Sequence, residues 1–228
     1  NFAPTLAVIL NVEADHLDYF KDLADVQKSF REFALLSTNG VLANGDDPHT
    51  LEALVGTPYV SFGIQPHNRV RAENICPDWR HLDVMCDGEF YCHLDLNVLG
   101  KHNALNALAA AGAAWMLGVP GESVGRGLAS FGGAERRLQF KGHYAGAAVY
   151  DDYAHHPTEI KATLSAAKDI ISKNGKIYAV LQPHTYSRAL AFQDEFATAL
   201  KDADTVIVSN IFAAREKDPG TISGLSMA

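Results

Sequence analysis

The chain has 228 residues, 47% of them hydrophobic and 20% charged, with a formal net charge of -8. That is enough chain for one large domain or two modest ones, too apolar for disorder, and too acidic for a broad nucleic-acid surface, although a small phosphate pocket needs only a few local cations. Cys76, Cys86 and Cys92 lack metal spacing and their odd count reads as reduced and cytoplasmic, while no apolar run approaches the length of a membrane span.

In chain order, "TLAVILNV" (5–12) is a continuous apolar run suited to a strand buried on both faces of a parallel sheet. The spacing in 23–37 predicts a helix. "GVLANGDDP" reads as a short strand and turn, "HTLEALV" as a short helix and "PYVSFG" as another buried strand, so strand and helix alternate as in an α/β sheet. From about 68 to 98 the pattern changes to three strands, the last two joined by a hairpin turn at Asp87–Gly88. An alanine-rich helix over 101–119, stopped by Gly118 and Pro120, and a shorter helix in "GESVGRGLASF" follow.

A composition shift at "GGAERRLQFKG" predicts a domain boundary, with domains at 1–139 and 140–228. Beyond it, strands in "RLQFKGHYA" and "AAVYDDY", a helix over 157–173, a strand over 176–182, one helix in "SRALAFQDEFATALK" and a strand in "TVIVSN" make a second βαβ series. The opening has no initiator Met and the end has no convincing terminal element, so the chain is expected to be cut from a longer protein at both ends.

Five polar stretches carry the chemistry. In "NVEADHLD" (11–18), Glu13, Asp15, His16 and Asp18 follow the first strand, where open α/β sheets place ligands; they suit a hard cation or phosphates, or simply a polar loop with capping acids. In "GKHNALNAL" (100–108), Asn103 and Asn106 share a helix face and offer the paired donor and acceptor that an adenine edge takes; the alternative is a cap and a core polar group. In "ERR", strand alternation is expected to send Arg136 and Arg137 to opposite sides, one able to grip a phosphate or carboxylate, or both to be ordinary surface charges. "DDYAHHPTE" (151–159) and "QPHTYSR" (182–188) each put polar and basic groups at a strand end. A metal site in the first of these is less natural, because neighbouring histidines on one turn rarely share an ion.

Together, in this order, the five stretches resemble the Mur ligase family, over nearly the whole chain and in combination specifically. "DDYAHHPTE" with "QPHTYSR" is similar to its alanine-adding branch. The resemblance implies a P-loop-type central ATPase domain with antiparallel strands, followed by a Rossmann-like C-terminal domain, both partial. It implies ATP-dependent ligation of L-alanine to the carboxylate of UDP-N-acetylmuramate through an acyl phosphate, with Mg²⁺, in the cytoplasm, by a monomer or homodimer of the full-length parent. Carried over by motif, His16 lies at an Mg²⁺ ion and the acyl phosphate. Asn103 and Asn106 hold adenine, with His102 against the ring, and Arg137 meets the γ-phosphate. Asp152 binds the ribose or orients its domain on the nucleotide. Tyr153, His155, His184 and Arg188 line the pocket for the muramoyl group and alanine, while His156 packs or caps.

Three departures stand out. The GxxxxGK[ST] phosphate loop is not in this sequence, so the chain alone is expected not to turn over ATP. Arg31 stands where sister ligases carbamoylate a Lys, and Thr185 stands where some relatives have Arg. The rival readings are a murein peptide ligase of cell-wall recycling, a metal-dependent phosphoesterase built on Asp15, His16, Asp151, Asp152 and the paired histidines, and a non-catalytic binding fragment.

Overall fold

The computed structural model describes residues 3–17, 19–172 and 174–228. The chain divides into two compact units, 1–132 and 133–228.

In the first unit a six-stranded sheet has the order β1 (Ala7–Ile9), β2 (Val41–Asn44), β3 (Val60–Gly63), β4 (Val70–Glu73), β5 (His81–Cys86), β6 (Glu89–Asp95). The first four strands are parallel and the last two antiparallel. Helices α1 (Leu23–Leu35) and α2 (Pro48–Ala53) provide the first two crossovers. Strand alternation then sorts the side chains into two cores. Val41 and Ala43 join Ala7, Ile9 and Val26 in one, while Leu42 joins Phe62, Val70, Leu82, Leu94 and Leu108 in the other. Each fully buried Leu or Phe contributes about 1.5–3 kcal/mol. β1 departs from the expectation of burial on both faces: Val8 and Leu10 are exposed, because β1 is the last strand of this sheet and only its Ala7 and Ile9 side joins a core.

Asp87 (φ 51) and Gly88 (φ 85) form the expected two-residue turn between β5 and β6. Helix α3 (Lys101–Met116) packs on β2 to β5, and α4 (Gly121–Ala129) packs on β6. Gly121 permits that approach: a Cβ there lies 1.9 Å from the Tyr91 carbonyl oxygen.

In the second unit β7 (Gln139–Tyr144) and β8 (Ala147–Asp151) form an antiparallel hairpin turning at Ala145–Gly146. β9 (Tyr178–Leu181) and β10 (Thr205–Val208) form a separate parallel pair. The anticipated βαβ series is thus realised as a parallel pair only between β9 and β10; β8 pairs with β7 among the described residues. Helix α5 (Pro157–Ile170) follows β8; the expected helix end at residue 173 lies outside the described residues. The single helix expected over 187–201 is broken at Phe192 (φ -125, ψ 27) into α6 (Tyr186–Ala191) and α7 (Gln193–Leu200). The break turns Phe192 into the core of Ile160, Leu164, Leu181 and Phe196 and edge-on to the His156 ring. Helix α8 (Gly224–Met227) is the last element. Among the described residues, no helix is long and apolar enough to cross a membrane.

Candidate active site

The first unit carries four of the expected site residues. His16 sits in the loop after β1 with φ 54, mostly exposed; its amide donates to Asp15 Oδ1 (2.7 Å) and its Nε2 lies 3.7 Å from Asp15 Oδ2. Asp18 lies outside the described residues. Among the described residues, no group of three or more His, Cys, Asp and Glu side chains is placed to hold a metal ion. Mg²⁺ commonly keeps several waters and takes one or two protein carboxylates plus substrate phosphates, so Asp15 beside His16 fits a shared ion rather than a closed protein cage. Arg31 donates instead to the Val55 carbonyl, tying α1 to the end of α2.

α3 opens on Gly100 (φ 90), and no side chain caps it. Lys101 lies 5.3 Å from the centre of the Trp79 ring, and His102 is half-buried. Asn103 is half-buried too, its side-chain amide donating to the Leu99 carbonyl (2.8 Å), so that group braces the helix start. Asn106 is exposed rather than a core polar group.

The second unit gathers the rest. Arg136 and Arg137 precede β7 and are not in a strand; Arg136 (φ 56) and Leu138 (φ 46) are both left-handed, which overturns the expected alternation. Backbone bonding explains the turn: Tyr153 N donates to Arg136 O (2.7 Å), and Leu138 N to Asp152 Oδ2 (2.6 Å). These bonds tie the ERR segment to the second unit, a few residues before the boundary read from composition. Arg136 stacks over Tyr153 at 4.6 Å and lies 3.6 Å from Asp151, whereas Arg137 faces Glu159 at 3.4 Å. Asp152 also accepts from Ala154 N (2.7 Å), so each of its oxygens already fixes the loop and offers a nucleotide only its remaining lone pairs. His156 caps α5 in a capping box with Glu159, as its packing and capping reading expects.

Two sequence-distant motifs meet here. The His155 and His184 rings lie 5.8 Å apart, with Tyr153 5.0 Å from His155 and Phe212 5.3 Å from His184. His155 Nδ1 is 2.8 Å from Tyr153 O and 3.4 Å from Glu159. Burial lowers the pKa of His184, the charges of His155 and Arg188 lower it further, and Glu216 opposes them. Thr185, at the strained φ of 66, caps α6 by accepting from Arg188 N (3.4 Å). The sequence reading assigned no role to Glu159, Phe212 or Glu216. The signal for the last two was "NIFAAREKD" after β10, at the end of the strand that pairs in parallel with β9, a position that carries ligand groups in α/β sheets.

Glu159 makes a pH prediction. Burial by itself raises its pKa, but the His155 and His156 amides and the charges of His155 and Arg137 hold it below the ordinary carboxylate value. A lowered folded pKa contributes stability above the unfolded carboxylate pKa, and that stability is lost as pH falls through the folded value. Glu159→Gln is therefore less stable than the parent chain at pH 7, and the gap closes on acidification. Urea denaturation at pH 7 and pH 4 measures it; a gap independent of pH removes the charge from the account.

Comparison with known proteins finds relatives that cover both units. The family model for the Mur ligase middle domain matches residues 1–114, and that for the Mur ligase glutamate ligase domain matches residues 136–227. The chain is 46% identical to the UDP-N-acetylmuramate–L-alanine ligase of Clostridium novyi, over 97% of this chain and 49% of that protein. It is 44% identical to the enzyme of the same name from Clostridium acetobutylicum, over 100% of this chain and 50% of that protein. It thus spans about half the length of the relatives it matches. Among solved structures, the UDP-N-acetylmuramate-alanine ligase of Thermotoga maritima matches with a TM-score of 0.75 and 29% identity, over 99% of this chain and 48% of that one. A murein peptide ligase of Psychrobacter arcticus matches with a TM-score of 0.65 and 26% identity, over 90% of this chain and 43% of that one. With both family models matched in chain order and most of the sequence covered, the chain belongs to the Mur ligase family.

Proposed function

We propose that the complete protein carrying this sequence uses ATP to join L-alanine to the carboxylate of UDP-N-acetylmuramate, in the cytoplasm, for peptidoglycan precursor synthesis. The observation that carries the reading is the meeting of "DDYAHHPTE" and "QPHTYSR" in one cluster, through His155 and His184, in a chain 46% identical to an alanine ligase.

A carboxylate is a poor electrophile, so the γ-phosphoryl group is first transferred to it, giving an acyl phosphate and ADP. The uncharged amine of alanine then adds to the acyl carbon. The tetrahedral intermediate expels phosphate, and the nitrogen loses its extra proton as the amide forms. The work left to the protein is positioning and charge neutralisation. In this reading Arg137, half-exposed and paired only loosely with Glu159, offsets charge on the γ-phosphate. Asn103, Asn106 and His102 form the adenine side, and Asp152 takes the ribose while holding its own loop. Tyr153, His155, His184 and Arg188 receive the muramoyl carboxylate and alanine. His16 and Asp15 contribute to holding Mg²⁺, which neutralises phosphate charge when bound.

The phosphoesterase alternative is disfavoured by what its carboxylates already do: Asp151 faces Arg136, and Asp152 accepts from two backbone amides. The murein peptide ligase alternative shares the fold and the ATP chemistry. A coupled ADP-release assay on the complete protein distinguishes them. ADP release is expected only with UDP-N-acetylmuramate and alanine together. Release with a murein tripeptide in place of alanine overturns the assignment, as does Mn²⁺-dependent phosphate release from a simple ester without ATP.

A further inference from the structure

We infer that Glu216, in the loop after β10, is a positioning residue that holds Arg188 and His184 in place for the acceptor substrates. The inference deepens the alanine-ligase reading and takes its substrates from it.

The loop reaches the site by extending the parallel pairing of β9 with β10. Ser209 N donates to Leu181 O (2.8 Å), Phe212 N to Pro183 O (2.8 Å) and Thr185 N to Phe212 O (2.9 Å). The chain then turns, with Ala214 at φ 51 and Glu216 N donating to Ala213 O (2.9 Å), and this brings the Glu216 carboxylate over the start of α6. There Oε2 accepts from Ser187 N (2.9 Å), Oε1 accepts from the Ser187 hydroxyl, and the Tyr186 amide donates as well.

Those contacts decide the kind of role. Both carboxylate oxygens are committed to the residues immediately before Arg188, so Glu216 braces rather than accepts a proton from substrate. Burial works against its charge, but the hydrogen bonds from Ser187 and Tyr186 and the charge of Arg188 keep it ionised. The brace is needed because α6 is only six residues long and starts on Thr185 in a strained left-handed conformation, which persists only where its surroundings over-determine it. The groups facing His184 are His155, Arg188 and Glu216, and Glu216 alone among these is negative. It therefore counters the mutual repulsion of the basic groups that meet the anionic acceptor, and fixes the direction of the turn that carries Arg188.

The test uses Glu216→Gln, which keeps an acceptor for Ser187 but not the charge, and Glu216→Ala, which keeps neither. In the complete protein, Glu216→Ala is expected to raise the KM for alanine or UDP-N-acetylmuramate about 10-fold or more, with the ATP KM changed by less than about 2-fold and Glu216→Gln falling between. In the 228-residue chain, an NMR titration of Glu216→Gln is expected to show the His184 midpoint moving down. Unchanged substrate KM values together with an unchanged His184 midpoint overturn the proposal. Full recovery of both in Glu216→Gln, with the Glu216→Ala defect retained, supports the brace through Ser187 and overturns the part assigned to the charge. If the parent protein ligates no alanine at all, the functional reading fails, and the His184 midpoint still decides whether Glu216 sets this site.

Discussion

Arg137→Ala in the complete protein is expected to lower kcat for alanine ligation by about 10²–10³-fold, the usual loss when one preorganised group facing developing charge is removed. The geometry separates the two arginines of the ERR segment. Arg136 is spent locally: its guanidinium stacks on Tyr153 at 4.6 Å, it lies beside Asp151, and its carbonyl accepts from Tyr153 N. Among the described residues, Arg137 reaches only Glu159, at 3.4 Å, and half of its side chain is exposed. Arg136→Ala is accordingly expected to act on stability, by about 1 kcal/mol through the lost ring contact, more than on kcat. Arg137→Lys should recover part of the rate, since it keeps the charge and loses the planar fork. Steady-state kinetics with thermal melts on the same samples measure both. A kcat for Arg137→Ala within about 3-fold of the parent sinks the assignment of the γ-phosphate contact to Arg137.

Two glycines six residues apart on α4 are expected to respond with opposite sign. Gly121→Ala destabilises the chain by about 3 kcal/mol, because the new Cβ meets the Tyr91 carbonyl oxygen at 1.9 Å and backbone in a packed sheet yields only by moving α4 off β6. Gly127→Ala stabilises it by about 0.5–1 kcal/mol, because nothing lies within 4 Å of its Cβ and alanine loses less backbone entropy in a helix. Urea denaturation of both variants decides the matter; equal effects mean that helix propensity, not the contact with β6, governs this helix.

That pair shows where sequence reading stops. "GESVGRGLASF" is legible as a helix, but its glycines look alike in sequence, and the carbonyls of Tyr91 and His93, which face Gly121 and Gly125, tell them apart from Gly127. The first unit was otherwise readable, because apolar runs of strand length, a DG turn and an alanine-rich helix are local signals, and local signals set elements. The second unit was less so. The βαβ pattern was visible, yet pairing is a choice among partners distant in sequence, and β8 took β7 across a two-residue turn, where loop closure costs least. The expected single helix after "QPHTYSR" breaks at Phe192 because burying that ring against His156 outweighs helix continuity.

The sequence by itself determined the α/β class, the order of the elements and the five stretches that mark a Mur ligase, because these reside in residue type, spacing and order. It left His156 as a packed or capping residue with no assigned chemistry, and the structure shows it capping α5 in a capping box with Glu159. The tertiary structure alone decided that Arg136 and Leu138 take left-handed conformations, so that Arg136 and Arg137 precede β7 rather than lying on opposite sides of a strand. It also decided that Asp152 holds its own loop, that His155 meets His184, and that the Glu216 carboxylate accepts from Ser187 N at the start of α6. Each of these depends on hydrogen bonds or ring contacts between segments separated in sequence. Such contacts are paid for by the packing of the whole unit, and no local pattern encodes them.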